Sequence, residues 1–433
     1  MRMILGEEKV IVRGVTFEEN SWGKYQFPKP YNAEGRVFVS VHVEDDTLVT
    51  TGNPTLWFES VDKGETWKEV SAETATENCG LKLANGDRIY FPVDGGVDLS
   101  DYKFPDFIEL TPDYDFTKPT QGKEMPMQDG LTAWRNGMLI RAYNADRLPY
   151  PLNQKKWRME RISAETKEKK TEYVDVDWPY LTRVVFTEKG KSVMKPIHPV
   201  RRPRIGPDGA IWINTFSGEA HLDPENGQYA PYYSAEIFRS TDNGKTFYRH
   251  SHMGYPADGK EYPYLSGGFS DNDYEFMDDG SMIWMFRSTW FGSTGFEWDP
   301  MYIARSFDGG VTWTKPEKFS DMGVYPSLCK LKCGATLVCY ARPGLFVQMC
   351  KNDNSYEWSE PLVVLEAKNR SHLANVKQEK LTFHQWDGQC GNPQLIAVSD
   401  NEALLFYGDF YYPDEKGVKR KTILCRRITV VDD

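Results

Sequence analysis

Two aspartates stand two residues apart in Ser270-Asp271-Asn272-Asp273. Read as a strand, that spacing puts both carboxylates on one face. Mutual repulsion would then split their pKa values into one proton donor and one acceptor. The alternative, given the flanking Ser, Asn and Gly, is a solvated loop. A second cluster, His198-Pro-Val-Arg201-Arg202-Pro-Arg204, gathers three cations and an imidazole in seven positions. Alternation places Arg202 and Arg204 on one side and Arg201 on the other. Such guanidinium forks suit the carboxylate of an acidic sugar; ion pairs between neighbouring structural units are the competing explanation. His42, and His384 in His384-Gln-Trp386-Asp387, are candidate general bases, each balanced against a satisfied structural side chain. Trp290, Phe291, Phe296 and Trp298 crowd a Gly-containing loop just after Arg287, and Tyr407, Tyr411 and Tyr412 flank Asp409. Aromatic faces of this kind stack on sugar rings or fold onto neighbouring strands.

These residues need a scaffold, and internal repeats supply one. Ser60-Val-Asp62-Lys-Gly64-Glu-Thr66-Trp67, Ser240-Thr-Asp242-Asn-Gly244-Lys-Thr246-Phe247 and Ser306-Phe-Asp308-Gly-Gly310-Val-Thr312-Trp313 share one pattern, S-x-D-x-G-x-T-aromatic. A degenerate fourth runs from Asp353 to Trp358. A short carboxylate that accepts its own turn's N–H groups, a glycine at positive φ and a buried ring describe a hairpin turn. The repeated Asp residues are therefore read as structural. A second hairpin signal recurs at Glu34-Gly35, Asn85-Gly86, Asn136-Gly137, Asp208-Gly209, Asp279-Gly280, Cys333-Gly334 and Asp400-Asn401, each between β-rich runs.

Spacing converts this into a blade count. Asp62 and Asp242 are 180 residues apart (242 − 62), and Asp242 and Asp308 are 66 apart (308 − 242). Three blades of about 60 fit the first gap, and 131–178 reads as four strands on its own. The expectation is a single all-β domain, 1–433, forming a propeller of seven four-stranded blades, an architecture that hides sheet edges by radial repetition. Six blades result if 79–197 is one elaborated blade. The strand around Val10–Val15 should complete the last blade. Seven or eight residues past each first hairpin, the second strand ends in His42, Asp94, Asn144, Ser217, Arg287, Arg342 or Asp409. That is a ring of polar groups at one mouth of the channel, where ligands gather, or simply where strands end.

Composition narrows the partners. The chain of 433 residues has 52 basic and 63 acidic side chains, net −11. Phosphate-backbone binding needs clustered cations, so a nucleic-acid partner is not expected. The runs Lys167–Lys170 and Lys419–Lys421 are read as solvated faces. Seven cysteines show no pairing or zinc spacing, which points to buried free thiols. No signal peptide and no apolar membrane span is legible, so a cytoplasmic protein is expected, secreted if a leader has been removed. No metalloprotease, P-loop or nucleophile-elbow motif occurs, and no cofactor or metal is expected.

At the repeats the sequence resembles the sialidase (neuraminidase) superfamily, whose repeats are called Asp boxes or BNR repeats. The resemblance implies a six-bladed propeller, three arginines holding a carboxylate, a Tyr nucleophile assisted by Glu, and an Asp acid/base. It places Arg287 at the second arginine, Asp271 at the assisting Glu and Arg342, in Tyr340-Ala-Arg-Pro-Gly344, at the third arginine. Tyr25-Gln26-Phe27-Pro28 resembles the first-arginine motif, with Gln26 where the arginine would be; a Gln cannot form that charge-assisted fork. No Tyr stands in Gln389-Cys390-Gly391-Asn392-Pro393, where the nucleophile would be.

Three functions fit. The first is a carbohydrate-active hydrolase, exo-acting on an acidic or deoxy sugar, with Asp271 and Asp273 or Asp409 as its carboxylates and Arg202, Arg287 and Arg342 as clamps. The second is a polysaccharide lyase in which His42, His198 or His384 takes the α-proton of a uronate. The third is a propeller that binds glycan or protein without turnover. Fold alone does not choose among them.

Overall fold

The computed structural model describes residues 1–16, 19, 23–44, 55–92, 97–98, 139–144, 155–177, 182–188, 191–194, 199, 201–222, 229–254, 268–288, 300–321, 323–341, 344–366 and 392–432. Six antiparallel blades close a ring. Blade 1 comprises Gln26–Ala33, Arg36–His42, Thr55–Ser60 and Lys68–Val70. Blade 2 comprises Leu81–Lys82, Arg88–Tyr90, Lys156–Ile162 and Lys169–Asp177. Blade 3 comprises Arg204–Ile205, Ile211–Leu222, Tyr229–Ser240 and Thr246–Met253. Blade 4 comprises Phe269–Phe276, Met282–Ser288, Met301–Ser306 and Glu317–Ser320. In blade 5, Val324–Lys330, Ala335–Ala341, Leu345–Lys351 and Asn354–Trp358 are joined by Leu362–Leu365. Blade 6 begins with Gln394–Ala397, Glu402–Pro413 and Lys419–Val431. Its outer strand is the N-terminal Arg2–Thr16, paired with Lys419–Val431 as the sequence predicted.

The ring closes because each pair of neighbouring blades shares an apolar core. Tyr31 and Trp57 pack on Tyr90 between blades 1 and 2, and Trp157, Phe238 and Phe247 lie between blades 2 and 3. Trp212 and Trp284 belong to the next cluster, Met285 and Leu328 to the one after. Leu337 and Leu405 join blades 5 and 6, and Phe406 and Val39 join blade 6 back to blade 1. The repeated turns serve these seams. Ser60 Oγ donates to Asp62 at 2.7 Å, Thr66 N donates to the same carboxylate at 2.9 Å, and Gly64 N donates to Ser60 Oγ at 2.7 Å. The turns at Asp242 and Asp308 repeat this pattern. The ring that follows then packs on the preceding blade: Trp67 on Phe406, Phe247 on Trp157, Trp358 on Phe319. Each such ring buries about 150–250 Å², worth several kcal/mol at about 25 cal/mol per Å².

The ring therefore holds six blades, not seven. Lys156–Ile162 pairs with Arg88–Tyr90, so the second half of 131–178 completes blade 2. Leu139–Asn144 instead joins Thr182–Glu188, Lys191–Met194 and Val97–Asp98 in an additional sheet. Blades 2 and 3 touch directly, their outer strands pairing in parallel at Asp175–Thr246, which leaves no place for a blade between them. The segment 79–197 is one blade with a sheet inserted into it. The sequence pattern could not show this, because inserted strands carry the same alternation as blade strands.

Two other expectations are settled here. Among the described residues Cys79, Cys329, Cys333, Cys339, Cys350 and Cys425 are free thiols, all buried except Cys333. The run Lys167–Lys170 is solvated, but Lys421 is not: it is fully buried. No helix of the described residues is long and apolar enough to cross a membrane.

Candidate active site

The first hairpins lie at one end of the channel; at the other end the first strands begin and the second strands finish. That mouth is built irregularly. The first strands of blades 1, 4 and 5 each lose register at the same level, between Gln26 and Lys29, Phe269 and Asn272, and Val324 and Ser327. Phe27, Tyr325 and Asn392, each followed by proline, have φ of 54°, 58° and 55°, uncommon values for residues other than glycine. Bulges and left-handed non-glycine residues concentrate where side chains are re-aimed for function. Their sequence signal is a proline seven or eight residues before the first hairpin: 35 − 28, 334 − 326 and 401 − 393.

Asp271 stands in the bulge of blade 4. Its side chain is 13% exposed, and Oδ2 accepts from Arg287 Nη1 at 3.2 Å. Oδ1 has no hydrogen bond among the described residues. Asp273, two residues deeper, is in a different state. Oδ1 accepts from Arg204 Nη1 at 2.7 Å and from Tyr274 N at 3.0 Å. Oδ2 accepts from Arg204 Nη2 at 3.1 Å and from Leu328 N at 2.8 Å. Both residues lie on a strand, not in a solvated loop, and Asp273 is 1% exposed. The pair divides into one saturated carboxylate and one with an open oxygen.

The arginines do not alternate. Residues 201–203 precede the two-residue strand Arg204–Ile205, so strand geometry does not govern them, and Arg201, Arg202 and Arg204 all line the channel. Arg204 bridges blade 3 to Asp273 of blade 4 and to Glu275 at 3.7 Å, an inter-blade ion pair. Arg202 crosses the channel to donate to Leu395 O of blade 6 at 2.8 Å. Arg201, 3% exposed, donates to Asn272 O at 3.3 Å and to Pro326 O, and its guanidinium lies 3.6 Å from the Tyr325 ring centre. Burial raises the Tyr325 phenol above its ordinary range, with Arg201 opposing and Asp271 reinforcing the shift.

Gln26 is wholly buried, and its Oε1 accepts from Lys421 Nζ at 2.7 Å and Gly23 N at 3.1 Å. A lysine from blade 6 thus supplies positive charge beside the glutamine. Across the pairing from Gln26 lies His42, whose Nδ1 is 3.1 Å from Gly23 O. A carbonyl only accepts, so Nδ1 is the donor and Nε2 of the neutral ring is an acceptor. Asp409 accepts from Tyr411 N at 2.8 Å, in register with Thr422. Its field reaches Tyr407 and Tyr412. Arg342, His384, His198 and Trp290 lie outside the described residues, although Ser288 Oγ donates to Pro300 O at 2.6 Å at the base of the loop that carries Trp290. Arg201 joins the mouth although alternation had set it on the other side, and Tyr325 and Lys421 join it without having been singled out; Lys421 looked like part of a surface charge run.

No protein-family profile matches the chain, and neither does any curated protein. Among solved structures, a protein of unknown function from Dyadobacter fermentans is similar over 99% of each chain, at 15% identity and a TM-score of 0.54. The likeness is one of fold. Also similar are the NanB sialidase of Streptococcus pneumoniae, at 12% identity over 98% of this chain and 70% of that one with a TM-score of 0.47, and a Hadza microbial sialidase, at 12% over 95% and 68% with a TM-score of 0.47.

Proposed function

We propose that the chain is a carbohydrate-active hydrolase that takes the end of an acidic or deoxy-sugar glycan at the propeller mouth. The reading rests on Asp271: a mostly buried carboxylate, oriented by Arg287 through one oxygen, with the other open at a bulge. Asp271 exchanges a proton with the glycosidic oxygen or the attacking water through Oδ1. Asp409 lies eight residues past its hairpin in blade 6, a register close to that of Arg287, seven residues past its hairpin in blade 4 (409 − 401, 287 − 280); it is the second carboxylate that hydrolysis requires. Asp273 holds blades 3 and 4 together and takes no part in the reaction. Arg201 presents cationic charge to the sugar, as Arg342 does in this reading.

The test is turnover of sialosides, uronic-acid oligosaccharides and rhamnose-containing glycans by the wild type and by Asp271→Asn. Wild-type turnover that falls about 10²-fold or more in the variant, with substrate still bound, is expected. No turnover on any of them contradicts the proposal and favours a binding module.

One observation supports a second reading. The fixed donor at Nδ1 of His42 leaves Nε2 as a basic nitrogen at the mouth, suited to taking the α-proton of a uronate in β-elimination. An unsaturated product, lost in His42→Ala and kept in Asp271→Asn, would favour it.

A further inference from the structure

Below the mouth lies a cavity of about 690 Å³ that extends to the first hairpins of blades 4 and 5 and whose wall contains six cations. Three are neutralised. Arg204 is held by Asp273 and Glu275, Lys330 meets Asp278 at 2.5 Å, and Lys332 meets Asp400 at 3.3 Å. The other three, Lys29, Arg201 and Arg202, form no ion pair among the described residues, although Asp273 lies near enough to Arg202 to favour its charge. The Lys29 ammonium makes no ion pair and no hydrogen bond among the described residues. Among the described residues Arg202 and Arg201 donate to backbone carbonyls alone, and Nη1 of Arg201, a residue 3% exposed, is buried without a hydrogen-bond partner.

These cations come from two blades that flank blade 2. Lys29 sits in blade 1 between Pro28 and Pro30, whose fixed φ angles hold its backbone in place. Arg201 and Arg202 lead into blade 3. Burial first, and then the charges of Arg202 and Arg201, lower the Lys29 ammonium to about 8, a sign that the three sense one another. Burial, and then Arg204, likewise lower Arg202 to about 10. Like charges withdrawn from water are costly unless a counter-charge joins them.

We propose that this cavity is a built site for a small multivalent oxyanion of the phosphate or sulfate type, free or carried on a small sugar. Lys29 would bind from blade 1 and Arg202 from the approach to blade 3, with the buried Arg201 adding its charge from behind them. The site lies beneath Asp271 and does not depend on the hydrolase reading. A cavity of this volume, within the range of small-molecule pockets, has room for a sugar as well as the anion.

The experiment is thermal unfolding of the full chain in a zwitterionic buffer with inorganic phosphate, with a hexose 6-phosphate, or with chloride at matched ionic strength. A saturable rise in Tm of about 3 °C is expected at a hundredfold excess over Kd, with no such rise in chloride. A response to both compounds assigns the site to the free ion, and a response to the hexose phosphate alone to the carried one. Lys29→Met and Arg202→Met each remove a like charge from the cavity, so they should fold and lose the response; Lys29→Arg should keep it, as should Asp271→Asn. No saturable shift with either compound would overturn the proposal. So would a full response retained in both methionine variants.

Discussion

Arg204 and Asp273 meet as a two-bond fork, 2.7 and 3.1 Å, across the seam between blades 3 and 4, with the carboxylate 1% exposed. Removing one partner of a buried pair strands the other, at a cost of about 3–5 kcal/mol. Asp273→Ala should therefore lower the unfolding free energy by that amount, seen as a lower urea midpoint at unchanged slope, and any loss of function should follow the loss of folded protein. An Asp273→Ala protein of wild-type stability would show that the fork does not hold the seam.

Asp271→Asn should behave in the opposite way. Asparagine keeps the shape of the side chain and an acceptor oxygen for Arg287, so stability should fall clearly less than in Asp273→Ala. Glycan turnover should fall about 10²–10⁴-fold. Equal stability and equal turnover would remove Asp271 from the mechanism.

Lys29 makes the alkaline limb of stability informative. Its folded pKa of about 8 lies below its ordinary value of 10.5. Between those values the unfolded chain holds the extra proton, so this group raises stability with pH, by at most about 1.4 kcal/mol per unit. Buried thiols act against it. Burial pushes Cys329 and Cys350 up to about 12, so their contribution is lost as pH rises past the ordinary thiol range. The quantity to measure is the difference between Lys29→Met and wild type in phosphate-free buffer. The variant should be the more stable at pH 7, and the gap should close towards pH 10. A gap independent of pH would contradict this assignment.

The repeated turns should govern the acid limb. The Thr66 hydroxyl and amide, then the Ser60 hydroxyl, hold Asp62 at about 2, and the corresponding groups of Thr312 and Ser306 hold Asp308 there. A carboxyl with a lowered pKa stabilises the fold above its unfolded value of about 3.9 and loses that contribution as pH falls towards 2. Asp62→Asn with Asp308→Asn should flatten the loss of stability over this window while lowering stability at pH 7. An unchanged acid limb would show that these turns are not held by charge.

Much of the scaffold was legible because its physics is local. The turn at Asp62 is closed by atoms within a few residues, so the same eight-residue pattern announces it three times. Closure by Arg2–Thr16 follows from the need of a last blade for a fourth strand. What was not legible depends on the third dimension. Strands 156–162 and 139–144 have the same alternation, yet one completes blade 2 and the other joins the inserted sheet. Lys421 stands in a run of cations, and only its inward register at the end of a strand brings it to Gln26. Asp271 and Asp273 are the same residue type two positions apart, one in a bulge and one below it in regular register. One level of the channel separates an open oxygen from a saturated carboxylate, and no spacing rule shows that.

The central claim is that water, directed by Asp271, cleaves a glycosidic bond at the mouth. The most direct test is mass spectrometry of the products formed from the same glycans in heavy-oxygen water. The account predicts a released sugar that has gained one water and carries the heavy oxygen, and no such product from Asp271→Asn. An unsaturated, unlabelled product, or labelled product formed equally by the variant, would contradict it.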